Sequence, residues 1–265
     1  MKNHFLSSSS SDIYLAFDTS TEVGSVCICQ NRKILNSIIF SGQGRHSADL
    51  LSKIQEVIDK EELTIADIQG VIVGEGPGSF TGVRVAAATA KGLCYSLGVP
   101  LWAVSSLRAS AVSFDMYSEG SMHVNSEKQI TPSDSTGRWR EHCSPNICVL
   151  FDARGNRVYA ACYRPKGSVG TETILAPHST TIESILLACE VSTIFGGDGA
   201  HRHFDQICEA GFQVVMHPTG RPTAEALCKI VMDSGNKFRV ENILAWEPKY
   251  LRVSSAERLK KEKAP

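Results

Sequence analysis

"VIVGEGPGSFTGVRVAAATAKG", Val71 to Gly92, is the stretch on which the fold turns. A bare apolar run stops at Gly76–Pro77–Gly78 and restarts as an alanine-rich helical pattern. A strand entering a helix this way leaves backbone N–H groups without partners near Ser79 to Gly82. Ser79 or Thr81 can cap one of them, and an anion can use the rest. Three better-defined glycine loops fail on spacing. A Walker loop needs GxxxxGK followed by Ser or Thr, which is missing here. A dinucleotide fingerprint starting at Gly76 and Gly78 meets Thr81 in place of its third glycine, with no acidic residue about twenty positions on. A hydrolase elbow around Ser79 needs glycines where Pro77 and Thr81 stand.

The helix after the turn carries more information. At about 100° per residue, Val83, Ala86, Ala87, Ala90, Leu93, Cys94 and Leu97 share one face, the core face. Val85, Ala88, Gly92 and Tyr95 occupy the opposite arc, and Arg84 and Lys91 form only a narrow charged strip. A glycine inside a helix costs about 1 kcal/mol relative to alanine. Small residues on this second face suit a helix packed close by, either from this chain, such as the Leu50 stripe, or from another.

Outward from this segment, the 265 residues suffice for two modest lobes with real cores. "IYLAFD" (13–18) reads as a buried strand, and "SVCICQ" and "KILNSIIF" flank "NRK" as a hairpin. Leu50, Leu51, Ile54, Val57 and Ile58 form one helical stripe. A second strand–turn–strand, "ICVLFDARGNRVYAACYR" (147–164), echoes the first, with Asp152 ending its strand as Asp18 does. The expected organisation is a disordered leader at 1–11 and a first lobe at 12–114. A polar exposed insertion at 115–146, a second lobe at 147–255 and a flexible tail at 256–265 follow. "WEPKYLR" reads as an extended arm, since Pro248 restricts its neighbours.

Formal net charge is −1, too little to grip a nucleic acid unaided. Nine cysteines lie scattered without a CxxC, which suits reduced core thiols in the cytoplasm rather than a zinc finger. The serine tract after Met1 is no signal peptide, and no apolar run approaches the ~20 residues of a membrane span. His201 and His203 are two apart and point to different sides of a helix, so no metal site is expected. Asp18, Asp152 and Asp198 end apolar strands, where sites in α/β proteins often lie, though strand-end carboxylates also serve turns.

"LAFDTST", "GEGPGSFTGVRVAAATAKGLCYSLGVP", "VSSLRA", "FDARGNRVYAA", "GGDG" and "PKYLR", in that order, resemble the TsaB family, formerly YeaZ. The resemblance spans about residues 13–255. It implies an α/β, actin- and sugar-kinase-like fold of two lobes, the second reduced. It implies a part in making threonylcarbamoyladenosine in tRNA as a non-catalytic subunit that pairs with TsaD, the catalytic sister, with the ATPase TsaE in the complex and tRNA reached through it. TsaD-like chains carry an HxxxH metal pair just after the segment matching "GVP"; here "LWAVSSLRAS" has no histidine. The chain is therefore expected to hold no cofactor of its own, with ATP and metal on its partners. Residual nucleotide contact would fall to Asp18, Thr19, Ser79 and Thr81. The family also implies a helix-packed interface at Val85, Ala88, Gly92 and Tyr95, open to self-association as well. A glycoprotease-like metallohydrolase and a stand-alone small-molecule kinase of the same fold are the alternative readings.

Overall fold

The computed structural model describes residues 12–41, 46–117, 145–166, 171–215 and 220–251. The leader, the tail and all but the edges of the insertion lie outside the described residues.

Two five-stranded sheets repeat one topology. In the first, β1 (Ile13–Asp18), β2 (Val23–Gln30), β3 (Lys33–Ser41), β4 (Ile68–Gly74) and β5 (Leu101–Val104) are ordered β3-β2-β1-β4-β5. The three leading strands pair antiparallel, while β1–β4 and β4–β5 are parallel. In the second, β6 (Ile147–Asp152), β7 (Val158–Pro165), β8 (Thr171–Thr180), β9 (Ile194–Gly196) and β10 (Gln213–Val214) are ordered β10-β9-β6-β7-β8. Antiparallel and parallel pairs fall in the same places. β1, β4 and β6 sit between helices on both faces, which is why they read as unbroken apolar runs rather than as alternating ones. β8 is an edge strand, mostly half-exposed, with Pro177 inside it and no clear alternation. Such a strand leaves little trace in a sequence. β10, two residues long, leaves none.

Among the described residues, seven α-helices clothe the sheets. α1 (His46–Lys60) and α2 (Phe80–Leu97) cover the outer face of the first, burying Leu50, Ile54, Val57, Ala86, Ala90 and Cys94 against Leu15, Phe17 and Val73. Leu51, expected in the α1 stripe, is instead 57% exposed. It lies about 100° from Leu50, at the margin of the stripe, so the sheet does not reach it. α4 (Ile182–Ala188), α5 (Asp198–Arg202) and α6 (Phe204–Glu209) cover the outer face of the second sheet.

The inner faces share α3 (Ser106–Tyr117) and α7 (Ala224–Ser234). α3 serves both sheets: Leu107, Ala111 and Phe114 pack on Val149, Phe151 and Tyr163, while Ala109 and Val112 join the core under β1 and β4. Spacings of i, i+4, i+7 and i, i+3 give one helix two apolar stripes. α7, from the second half of the chain, lies on the first sheet, with Leu227 and Val231 in the core beside Ala16 and Ile72. After α7 the chain returns past β5, where Trp102 bridges Arg239, and seats Val240, Ile243 and Trp246 on the outer core of the first sheet.

Candidate functional site

The β1–β2 turn and the Gly76–Gly82 loop meet and are closed on each other. Asp18 is fully buried. Its Oδ1 accepts from Ser20 N–H at 2.7 Å and Ser20 Oγ at 2.6 Å, and its Oδ2 accepts from Ser106 Oγ at 2.6 Å. Thr19, also fully buried, donates its hydroxyl to the Gly82 carbonyl at 2.7 Å. Ser79 N–H donates to the Ser20 carbonyl at 2.7 Å, and Ser79 Oγ caps α2 by accepting from Gly82 N–H at 3.4 Å. Thr81 stands exposed on the first turn of the helix. A Cβ at Gly78 or Gly82 would collide with the Ser20 or Thr19 carbonyl. The two glycines therefore let loop and turn interlock, the close approach for which glycine is needed. Of the four residues expected near an anion, Asp18 and Thr19 are turned inward and Ser79 caps.

Hydroxyls fill the interlobe side of α3. Ser106 also accepts from Gly76 N–H at 3.1 Å, Ser110 donates to the Gly220 carbonyl, and Ser113 donates to the Ser110 carbonyl at 2.7 Å. All three serines are fully buried. Between the lobes a cavity of about 70 Å³ remains, lined by Thr21, Glu22, Phe151, Asp198 and Arg221 among others. Pockets for drug-sized ligands run to about 300 Å³ or more. Burial, with the nearby Asp152 charge adding to it, pushes the Asp198 carboxyl up to about 6 against the pull of backbone N–H donors. Asp152 holds Arg202 at 2.6 Å. A wider groove, about 680 Å³, opens under the C-terminal arm, with Arg108, Lys237, Arg239 and Lys249 facing Glu75, Glu241 and Glu247. Its charges are mixed and it is open to solvent. At its edge Glu75, 6% exposed, pairs with Lys249 at 2.9 Å, and burial still raises its carboxyl above the ordinary range.

The outer flank of α2 has the opposite character. Ala88 and Gly92 are exposed, Tyr95 is 76% exposed, and a Cβ built at Gly92 meets nothing within 4 Å. Among the described residues no helix covers this strip, so α1, though it packs alongside α2, is not the close neighbour that the small residues suit. Val85 differs from the other three: it is half-buried against the core under α1 and α2. The arm draws both cations of α2 aside. Arg84 stacks on Phe80, 3.8 Å from the ring centroid, and bonds the Tyr250 hydroxyl at 3.2 Å. Lys91 donates to the Leu244 carbonyl at 3.1 Å. What remains is an uncharged strip, with Leu51 exposed on adjoining α1 and Phe80 38% exposed at the start of α2. The periodicity marked neither of these two. Leu51 falls within the α1 stripe, and Phe80 sits in the turn before the repeat begins.

His201 Nε2 contacts the Val215 carbonyl at 3.0 Å, and His203 Nδ1 contacts Gln206 Oε1 at 2.7 Å, so both imidazoles serve local structure. The side chain of His46 lies outside the described residues.

Comparison with known proteins gives a consistent result. The sequence model of the family described as "TsaD: tRNA N6-adenosine threonylcarbamoyltransferase" matches residues 33–190. The tRNA threonylcarbamoyladenosine biosynthesis protein TsaB of Escherichia coli is 27% identical over 247 residues, 91% of this chain and 95% of that one. Its counterpart in Buchnera aphidicola subsp. Schizaphis graminum is 34% identical over 192 residues, 71% and 80% of the two chains. The solved structure of YeaZ from Pseudomonas aeruginosa superposes with a TM-score of 0.68 at 23% identity, covering 91% of this chain and all of that one. The superposition shows that the chain has the fold of that structure, built here from two α/β sheets of duplicated strand order. No helix among the described residues is long and apolar enough to cross a membrane.

Proposed function

This chain belongs to the TsaB family, and on that premise we propose that it is a non-catalytic subunit in the formation of threonylcarbamoyladenosine in tRNA, acting by docking a TsaD homologue through α2. The observation that carries the reading is the bare strip Ala88–Gly92–Tyr95 on an otherwise well-packed helix. Small residues let a partner helix approach closely, the absence of charge spares it a desolvation cost, and Tyr95 supplies an aromatic anchor. The same face serves self-association when the partner is absent.

The filled cleft supports the non-catalytic part. Chemistry on a nucleotide needs an open pocket and free donors for phosphate oxygens. Here the N–H groups of Ser79 and Gly82 are used by Ser20 and Ser79, that of Gly76 by Ser106, and the hydroxyls of α3 by Asp18, Gly220 and Ser110. The sequence at 101–110 offers serines and one arginine where a metal-binding sister would carry imidazoles. ATP and the catalytic metal belong to the partner chains, TsaD and the ATPase TsaE. tRNA is engaged by the complex rather than by this chain, whose net charge is −1. The setting is cytoplasmic.

Reconstitution tests this directly. The chain is purified with and without the TsaD homologue of the same organism, the remaining components are added, and modified adenosine in tRNA is measured by nucleoside mass spectrometry. Product that requires both proteins supports the reading. Full product without this chain, metal-dependent cleavage of a sialoglycoprotein by this chain alone, or phosphoryl transfer from ATP to a sugar by this chain alone would each sink it.

A further inference from the structure

Cys148 on β6, Cys162 on β7 and Cys189 just after α4 turn their sulfurs toward one point, with all three Sγ atoms within 4.8 Å of one another. Cys162 and Cys189 approach to 3.5 Å. Cys148 and Cys162 face each other directly across the β6–β7 ladder, so both side chains leave the sheet on one face. That face is the outer one, where they sit among Leu150, Ala160, Ile182 and Ile185. Cys148 is fully buried and Cys162 is 4% exposed, whereas Cys189 is half-buried. Two donors are thus fixed on paired strands, and the third stands where solvent reaches. The first lobe offers a contrast. Cys27 and Cys228 approach to 3.9 Å, but among the described residues no third donor closes on both.

We propose that Cys148, Cys162 and Cys189 form a three-thiolate site for a soft d10 cation, zinc(II) or copper(I), on the outer face of the second sheet. Metal–thiolate bonds of about 2.3 Å hold sulfurs about 4 Å apart around one ion, so the three need only small rotations to close on it. Thiolate donors select these cations over hard ones such as magnesium or calcium. Loading exchanges whatever protons the three sulfurs still hold for three metal–sulfur bonds, and those protons pass to solvent. The donors come from positions 148, 162 and 189, so no spacing motif announces them. The site lies apart from the α2 strip and from the interlobe cavity, whose linings include none of these cysteines.

The full chain, purified reduced and without oxygen, receives one equivalent of zinc(II) in competition with a chromophoric zinc chelator. A parallel sample receives copper(I) with a copper(I) chelator. One equivalent of at least one ion withheld from its chelator is the expected result, with Cys162→Ser and Cys189→Ser each weakening retention at least about tenfold and Cys208→Ser leaving it intact. Alkylation of the unsubstituted chain followed by peptide mass spectrometry gives a readout that needs no variant: loading should protect Cys148, Cys162 and Cys189 together. Retention of neither ion, unchanged retention in Cys189→Ser, protection of other cysteines instead, or a Cys162–Cys189 disulfide in the freshly prepared chain would overturn the proposal.

Discussion

The cleft between the sheets and the outer flank of α2 start from one loop, and they are finished in opposite ways. At the cleft end, the named polar groups of the Asp18–Ser20 turn meet partners within the turn, in the Gly76–Gly82 loop or on α3. At the flank, Ala88 and Tyr95 are exposed and a Cβ at Gly92 meets nothing within 4 Å, and the nearest cations are held aside by the arm. A buried polar network with all partners present is a structural device, and its loss costs stability. An exposed uncharged strip on a rigid helix contributes little to the lone chain, and the proposed partner would account for its composition. On the function proposed above, the loop positions a helix for a partner rather than holding a ligand.

The largest effect that sharpens this contrast is on binding. Gly92→Arg should weaken association with the TsaD homologue at least about 100-fold, because a long charged side chain holds the helices apart and is buried unpaired in the complex. The same change should leave the free chain as stable as before, or more stable by up to about 1 kcal/mol, since it removes a helix-interior glycine into open space. Calorimetric binding and thermal unfolding on one preparation measure both. Weak binding together with a large stability loss would mean that the strip is covered within the chain.

Asp18→Ala should do the reverse. It leaves Ser20 N–H, Ser20 Oγ and Ser106 Oγ without their acceptor inside the core, so the free chain should lose about 3 kcal/mol or more. Denaturant unfolding checks this. If Asp18 instead contacts a nucleotide, stability holds while ligand affinity falls.

How much of this contrast is written locally explains how much can be read from the sequence. The runs of β1, β4 and β6 and the two faces of α2 are legible because strand burial and helical period act over a few residues. Ser79 as cap is legible for the same reason. Leu51 at the margin of a stripe is ambiguous, and an edge strand such as β8 carries no alternation to detect. The closure of Asp18 onto Ser106 joins positions 88 apart, and the seating of α7 from the second half on the first sheet is likewise non-local. The serines of α3 look like ordinary helix residues until two sheets close on them, and the three thiols look like ordinary core residues until three elements bring them together.

A smaller effect follows from Asp198 at the residual cavity. Its carboxyl is raised from 3.8 to about 6, chiefly by burial, so the folded chain binds a proton there that the unfolded chain has already lost. Between pH 4 and pH 6 the native state holds more protons, and this group's contribution to stability falls as pH rises, on the order of 1 kcal/mol per pH unit. Asp198→Asn should flatten that part of the profile and gain relative to the unsubstituted chain above pH 6. An unchanged profile would mean that the cavity is better solvated than its lining suggests. The smallest effect is at the arm. Lys249 is largely exposed, so Lys249→Ala should cost under about 1 kcal/mol despite leaving Glu75 without its cation. A larger loss would make the arm part of the core.

The central claim, that α2 is where the partner sits, is tested most directly by placing a photo-crosslinking amino acid at Tyr95 and irradiating the chain with the TsaD homologue. Tyr95 projects from the strip into solvent, 76% exposed, so the substitution does not disturb the fold. A crosslink from position 95 to the TsaD homologue is the predicted result. If the two chains still co-purify but position 95 crosslinks to nothing, while the same group at Leu187 on α4 joins the partner, then the interface lies on the second lobe and the account is wrong.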